Sequence, residues 1–297
     1  MFTRVLRYIG VISLVLSLSS GHSFGNSSQD SSENSHLEQT LPEFCKSMLR
    51  RFPGGRDEKR LLQACEKALV LPECKSVKQA PVFHIQRDSS RVDARRILVF
   101  GLVHGDEPWS GSLARSWLER AMGGVNRNQW RIVPVINPDG YEKSTRTNAN
   151  GVDINRNFPT QNWEKEASAY WIRSRKNARR FPGKAGASEP ETQCMLRQIE
   201  DFRPDLVVAI HAPYRIMDLD GPKELGFSPT PLPWRRLGNF PGSLGRFLWR
   251  ERSIPVLTVE LGTSIPIKDE AQYSRLQDQV GQMAQRIKRR ETTQALR

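Results

Sequence analysis

In Arg96-Ile-Leu-Val-Phe-Gly-Leu-Val-His-Gly-Asp-Glu107 an apolar run ends at a turn carrying a histidine and a glutamate three positions apart. The run is short, rich in β-branched residues and bounded by charge and glycine, the pattern of a buried strand. Residues 108–122 then place Trp109, Leu113, Trp117 and Ala121 at helical intervals behind Pro108, which predicts a helix. His104 and Glu107 therefore fall in a strand-to-helix turn, where side chains project into the crevice above an open α/β sheet. Imidazole and carboxylate so placed read as half of a zinc site. Taken alone, His-x-x-Glu also describes a solvated loop, so the rest of the chain has to decide.

A second buried-strand run, Leu206-Val-Val-Ala-Ile210, is followed at once by His211. Two strand ends would then deliver His104, Glu107 and His211, a His₂Glu set that leaves the fourth zinc position open for water. A hydrogen-bonded core histidine is the competing reading of His211 by itself. A third run, Pro255-Val-Leu-Thr-Val-Glu260, ends in a carboxylate. An unpaired buried glutamate is costly, and partial burial raises its pKa toward working pH, so Glu260 reads as a general base. Between these runs lies Arg146-Thr-Asn-Ala-Asn-Gly-Val-Asp-Ile-Asn-Arg-Asn-Phe-Pro159. A guanidinium forks two donors onto a carboxylate, so Asn155 and Arg156 together suit a substrate carboxyl group, and Arg146 suits a developing oxyanion.

The chain has 297 residues, 37% of them hydrophobic, enough for one large core with or without a small appendage. At the N-terminus, Arg4 and Arg7 precede an apolar run from Ile9 to Leu18 and small residues, which reads as a signal peptide over 1–25. An uncleaved anchor is the alternative, but the run is short for a membrane span. The formal charge of +13 falls to +11 without residues 1–25. For an exported chain that excess points to an anionic envelope polymer or an acidic peptide rather than nucleic acid. Cys45, Cys65, Cys74 and Cys194 lack paired zinc-site spacing and admit three pairings, so at least one disulfide is expected, involving Cys45, Cys65 and Cys74, against free buried thiols.

Residues 26–40 are Ser-, Asn- and acid-rich and read as a disordered tether. Residues 41–80 read as a small cysteine-bearing pre-region of two short helices around Pro53-Gly-Gly55. From 81 to 297 strand runs at 81–85, 97–103, 131–136, 206–210 and 256–261 alternate with helical spacing, giving a three-layer α/β/α domain with a mixed sheet. Ser188-Glu-Pro-Glu191 suggests a capping box ahead of a helix through Phe202. A last helix from about 269 spaces Tyr273, Leu276, Val280, Met283 and Ile287 for burial and ends on Lys288-Arg-Arg290. The insertion 160–184 interleaves Trp163, Tyr170, Trp171 and Phe181 with basic residues; an active-site rim and a helix with a solvated basic face are both open.

Together these segments resemble the funnelin-type zinc carboxypeptidases, and within them the murein peptide amidase A branch. The likeness rests on His104-Gly-Asp-Glu107, Asn137-Pro-Asp-Gly140, the 146–159 stretch, Gly186-Ala-Ser-Glu-Pro-Glu-Thr192, Ile210-His-Ala-Pro213 with Asp220-Gly-Pro222, and Pro241-Gly-Ser-Leu-Gly245 leading to Glu260-Leu-Gly262. It spans most of residues 95–265. The resemblance implies one zinc on His104, Glu107 and His211, substrate binding by Arg146, Asn155 and Arg156, and Glu260 as base. It also implies cleavage of the γ-D-Glu–meso-diaminopimelate amide of murein peptides, by an exported, periplasmic enzyme. One departure stands out. The digestive carboxypeptidases have a mobile tyrosine near the substrate carboxylate, where this chain reads Leu237-Gly-Asn-Phe-Pro-Gly242, which argues against ordinary trimming of protein C-termini. The rivals are a murein carboxypeptidase acting at another bond, an aspartoacylase-like deacylase, and an inactive murein-binding protein.

Overall fold

The structure is a computed structural model that describes residues 39–263 and 270–288. The segment expected as a signal peptide, nearly all of the one expected as a tether and the basic Arg289–Arg290 pair lie outside the described residues. Among those described, no helix is long and apolar enough to cross a membrane.

Six strands form one sheet: β1 (Ile85–Arg87), β2 (Arg96–Phe100), β3 (Gln129–Val133), β4 (Leu206–His211), β5 (Ile216–Asp220) and β6 (Val256–Glu260). Their order is β1-β3-β2-β4-β6-β5; the four central strands are parallel and the two edge strands pair antiparallel. The sheet is mixed, as expected. Strand alternation divides the core in two. Ile97 and Val99 of β2 face one apolar cluster, whereas Leu98 and Phe100 face the other.

On the first face lie α1 (Leu41–Arg50), α2 (Glu58–Cys65), α3 (Pro108–Met122) and α7 (Glu270–Arg286). The second face is covered by α6 (Pro190–Phe202) and by residues 244–248, and the short α4 (Pro138–Glu142) follows β3 in the chain. The helix α3 has the predicted bounds, with Leu113 and Trp117 fully buried; truncation to Ala would cost about 2–5 kcal/mol at Leu113 and about 3–5 kcal/mol at Trp117. Leu276, Val280, Met283 and Ala284 form the buried stripe of α7.

The capping box expected at Ser188 does not form. Glu189 is the N-cap of α6, the Ser188 hydroxyl turns to the Glu189 carboxylate at 2.7 Å, and Glu191 instead accepts from Val77 N at 3.0 Å and Asn148 Nδ2 at 2.9 Å. A short buried-strand run at 81–85 was also expected, yet only Ile85 onward pairs as a strand; His84 bridges instead to Leu69.

Residues 41–68 share the first core, whereas Leu71 and Cys74 pack with the second. Cys45–Cys65 joins α1 to α2, and Cys74–Cys194 fastens the following loop to α6 across 120 residues of chain. In a chain-entropy account such closures contribute about 3 and about 5 kcal/mol. A buried guanidinium completes the attachment. From α3, Arg115 donates to the carbonyls of Leu49, Phe52, Pro53, Gly54 and Gly55 at 2.7–3.3 Å. The Phe52 ring fills the space over Gly111, where a Cβ would collide with it.

Candidate active site and metal centre

The end of β2 sets the site. After Gly101, Leu102 takes a left-handed backbone (φ 46°) although it has a branched, buried side chain. Such backbone costs of order 1 kcal/mol or more and persists only where neighbours hold it. Here Leu102 N donates to Ser110 Oγ at 3.0 Å, Ser110 Oγ donates to Glu107 O at 2.7 Å, and Asn137 N donates to Leu102 O at 3.0 Å. Gly105 lies against the backbone of Gly140, leaving no room for a Cβ. The reversed chain turns His104 and Glu107 inward, both buried.

At the end of β4, His211 is paired in register with Glu260 of β6. The three expected ligands converge, each offering one donor atom, all within 4.8 Å of one another. His104 Nδ1 lies 2.8 Å from Glu107 Oε1, His211 Nδ1 3.2 Å from Glu107 Oε2, and the two Nδ1 atoms are 3.1 Å apart. Two ring nitrogens turned on each other beside a carboxylate make a donor set that wants a cation at its centre. Two imidazoles and a carboxylate suit zinc, and with three protein donors one position stays open. These residues fit the ion.

Asp153 was missed in the sequence. Fully buried, it accepts from Arg146 Nε and Nη2 at 3.1 and 3.0 Å, and its Oδ1 lies 3.1 Å from His104 Nε2. Burial alone would push its carboxyl up, but Arg146 and then His104 hold it well below the usual range. Burial likewise opposes ionisation of Glu107, yet the imidazoles of His104 and His211 keep it ionised. The missed signal was available: Asp153 sits two residues before Asn155, in a stretch whose arginines need a counter-charge.

Arg146 Nη1 also reaches Glu107 Oε1 at 3.4 Å. Asn155 Oδ1 accepts from Leu244 N at 2.9 Å, which leaves the amide nitrogen as the group it offers. Arg156 is buried under the ring of Phe240, 4.5 Å from its centroid, and its Nε is buried without a hydrogen-bond partner among the described residues. A cavity of about 460 Å³ brings all seven expected residues together: His104, Glu107, Arg146, Asn155, Arg156, His211 and Glu260. Burial raises the Glu260 pKa, partly offset by His211.

Several cavity residues were assigned no role from the sequence, although Asp220 falls in one of the resembling segments. Asp218 and Asp220 come from β5, whose Ile-Met-Asp-Leu-Asp sequence does not read as a buried strand. Burial, and then Asp218, push Asp220 up to about 6. The insertion divides between its two readings. Its α5 (Trp163–Arg173) lies over the domain, while Asn177, Arg179 and Arg180 in the following turn line the cavity.

A description of the zinc carboxypeptidase family matches residues 77–216. The chain belongs to the zinc carboxypeptidases, in their murein peptide amidase A-like branch. Murein peptide amidase A of Vibrio campbellii (strain ATCC BAA-1116) is 33% identical over 196 residues, covering 63% of this chain and 77% of that protein. Murein peptide amidase A of Escherichia coli (strain K12) is 35% identical over 132 residues, covering 43% of this chain and 54% of the relative, so this match spans about half of the relative's length. Among solved structures, murein-tripeptide amidase MpaA from Escherichia coli O157 superposes with a TM-score of 0.55 at 22% identity, covering 82% of this chain and 97% of that one. Carboxypeptidase A from Helicoverpa armigera gives 0.57 at 18% identity, covering 77% and 72%. At these identities the structural likeness bears on fold alone.

Proposed function

We propose that the protein is an exported zinc metallopeptidase that hydrolyses the γ-D-Glu–meso-diaminopimelate amide of murein peptides. The observation that carries the reading is the convergence of His104, Glu107 and His211 beside Glu260 in a cavity whose other wall holds Asn155 and Arg156. His104, Glu107 and His211 would hold a zinc ion, which would supply Lewis acidity toward water and the scissile carbonyl.

The remaining work falls to the chain. Glu260, with its carboxyl pKa raised by burial, accepts a proton from the attacking water as the oxygen adds to the carbonyl carbon. It then returns that proton to the amide nitrogen as the C–N bond breaks. Arg146, fixed by Asp153, presents its guanidinium to the carbonyl oxygen as charge develops there. Asn155 and Arg156 hold the leaving residue's carboxylate, and Phe240 over Arg156 shields the pair from water. Diaminopimelate also carries a distal amino group, and Asp218 and Asp220 offer it carboxylates in the same cavity. Export is supported by two disulfides joining all four cysteines.

The test is mass spectrometry of L-Ala-γ-D-Glu-meso-diaminopimelate after incubation with the mature protein. Release of free diaminopimelate and L-Ala-D-Glu is expected, with little action on L-amino-acid peptides. An intact tripeptide alongside trimmed ordinary peptides would leave a carboxypeptidase of other specificity, and hydrolysis of acyl amino acids alone would indicate a deacylase.

A further inference from the structure

The turn after α5 is held in a conformation that its residues do not favour. The helix ends through two consecutive left-handed residues, Arg175 (φ 56°) and Lys176 (φ 50°), neither of them glycine. Such strain persists only where the surroundings impose it, and here they do. Trp171 Nε1 donates to Asn177 O at 2.9 Å, and the Trp171 ring packs on Phe181 with centroids 4.9 Å apart. Arg179 N donates to Asn177 Oδ1 at 2.9 Å, and Phe181 O accepts from Asp153 N at 2.8 Å. On its other side Tyr170 packs against Phe240, the ring that covers Arg156. The turn is thus anchored at both ends to residues of the reacting centre.

What this brings to the cavity is charge. Arg179 and Arg180 join Arg146 and Arg156 in its lining. Arg179 is ion-paired at 2.6 Å with Asp106, the neighbour of Glu107. Arg180 is half-buried and has no side-chain hydrogen bond or ion pair among the described residues. Burial first, and then Arg146 and Arg180, disfavour the charge on Arg156, and Asp153 only partly offsets them. A cationic side chain carried toward another cation is a cost unless an anion comes between them, and guanidinium forks match carboxylates.

We propose that the turn bearing Arg179 and Arg180 recognises a second carboxylate of the substrate, in addition to the one held by Asn155 and Arg156. The inference rests on the peptidase reading above and narrows its substrate to peptides with a further free carboxylate near the scissile bond. A solvated basic face would need neither the imposed backbone nor the anchoring to Asp153 and Phe240.

The experiment is a cycle of protein and substrate variants at fixed ionic strength. Wild type and the Arg179→Ala/Arg180→Ala double variant are compared on L-Ala-γ-D-Glu-meso-diaminopimelate and on two analogues, one amidated at the D-Glu α-carboxylate and one at the distal diaminopimelate carboxylate. KM and kcat are read separately, and dissociation constants are measured by calorimetry with Glu260→Gln added to both proteins to block turnover. At least one amidation should raise KM and Kd by about tenfold or more in wild type, and that penalty should vanish in the double variant with kcat within about threefold. A double variant that binds the full acid as wild type does, or that loses acid and amides equally, overturns the proposal. Absence of turnover by wild type would instead count against the peptidase reading, and the dissociation constants would still decide this one.

Discussion

His104 Nε2 lies 3.1 Å from Asp153 Oδ1 while the opposite ring nitrogen, Nδ1, faces Glu107 and His211. A buried carboxylate on one nitrogen fixes the tautomer, so the other nitrogen presents its lone pair to a cation. Asp153→Asn keeps size but loses charge. Zinc affinity, read by chelator competition, is expected to fall about 10- to 100-fold, whereas His104→Ala or His211→Ala removes the metal altogether. Undiminished affinity in Asp153→Asn would show that His104 needs no such partner.

Glu260→Gln retains shape and cannot accept a proton. Turnover of the tripeptide should fall by at least about 10², with zinc content unchanged by elemental analysis. Near-native turnover would transfer the role of base to another group. Arg156→Ala should act on KM for substrates with a free carboxylate more than on kcat.

Asp220 carries a pH-dependent cost. Its carboxyl rises from 3.8 to about 6 on folding, by burial first and Asp218 second. Between those values the folded state binds more protons than the unfolded one, so this residue's contribution to stability declines as pH rises from about 4 to about 6 and is constant above. Asp220→Asn should therefore gain thermal stability over wild type at about pH 7.5 and gain less at about pH 4. The same difference at both values would rule this cost out.

The disulfides predict an order of loosening. Peptide mapping of protein from its native compartment should recover Cys45–Cys65 and Cys74–Cys194, with no alkylatable thiol in the native protein. Reduction should expose residues 41–80 to hydrogen exchange before zinc is released. Simultaneous loss of both would mean that the two parts unfold as one cooperative unit.

What could be read from the chain and what could not have different physical origins. The strand leading into the His104 turn and those ending at His211 and Glu260 were legible because a buried parallel strand must be apolar throughout, and a polar residue beyond or at its end then stands out. The helix α3 was legible to the residue because Pro108 marks its start and its spacing is regular. Asp153 was passed over because its meaning lies in partners 7 and 49 positions away, Arg146 and His104. Edge strand β5 alternates less cleanly, with Asp218 and Asp220 facing the cavity. At Ser188 a local pattern lost to tertiary demand. Glu191 was drawn to Val77 and Asn148 instead of back to the helix start.

The five carbonyls gathered by Arg115 bear on how the protein matures. A segment that proteolysis is to discard should leave behind a surface that water can wet. Residues 49–55 do the opposite: they supply the acceptors for a guanidinium inside α3 and place Phe52 against Gly111. Cutting them away would expose the apolar floor of α3 and strip a buried cation of main-chain acceptors, a loss of several kcal/mol. Residues 41–80 are therefore expected to stay with the mature protein, and a chain begun at Ala80 to aggregate on expression.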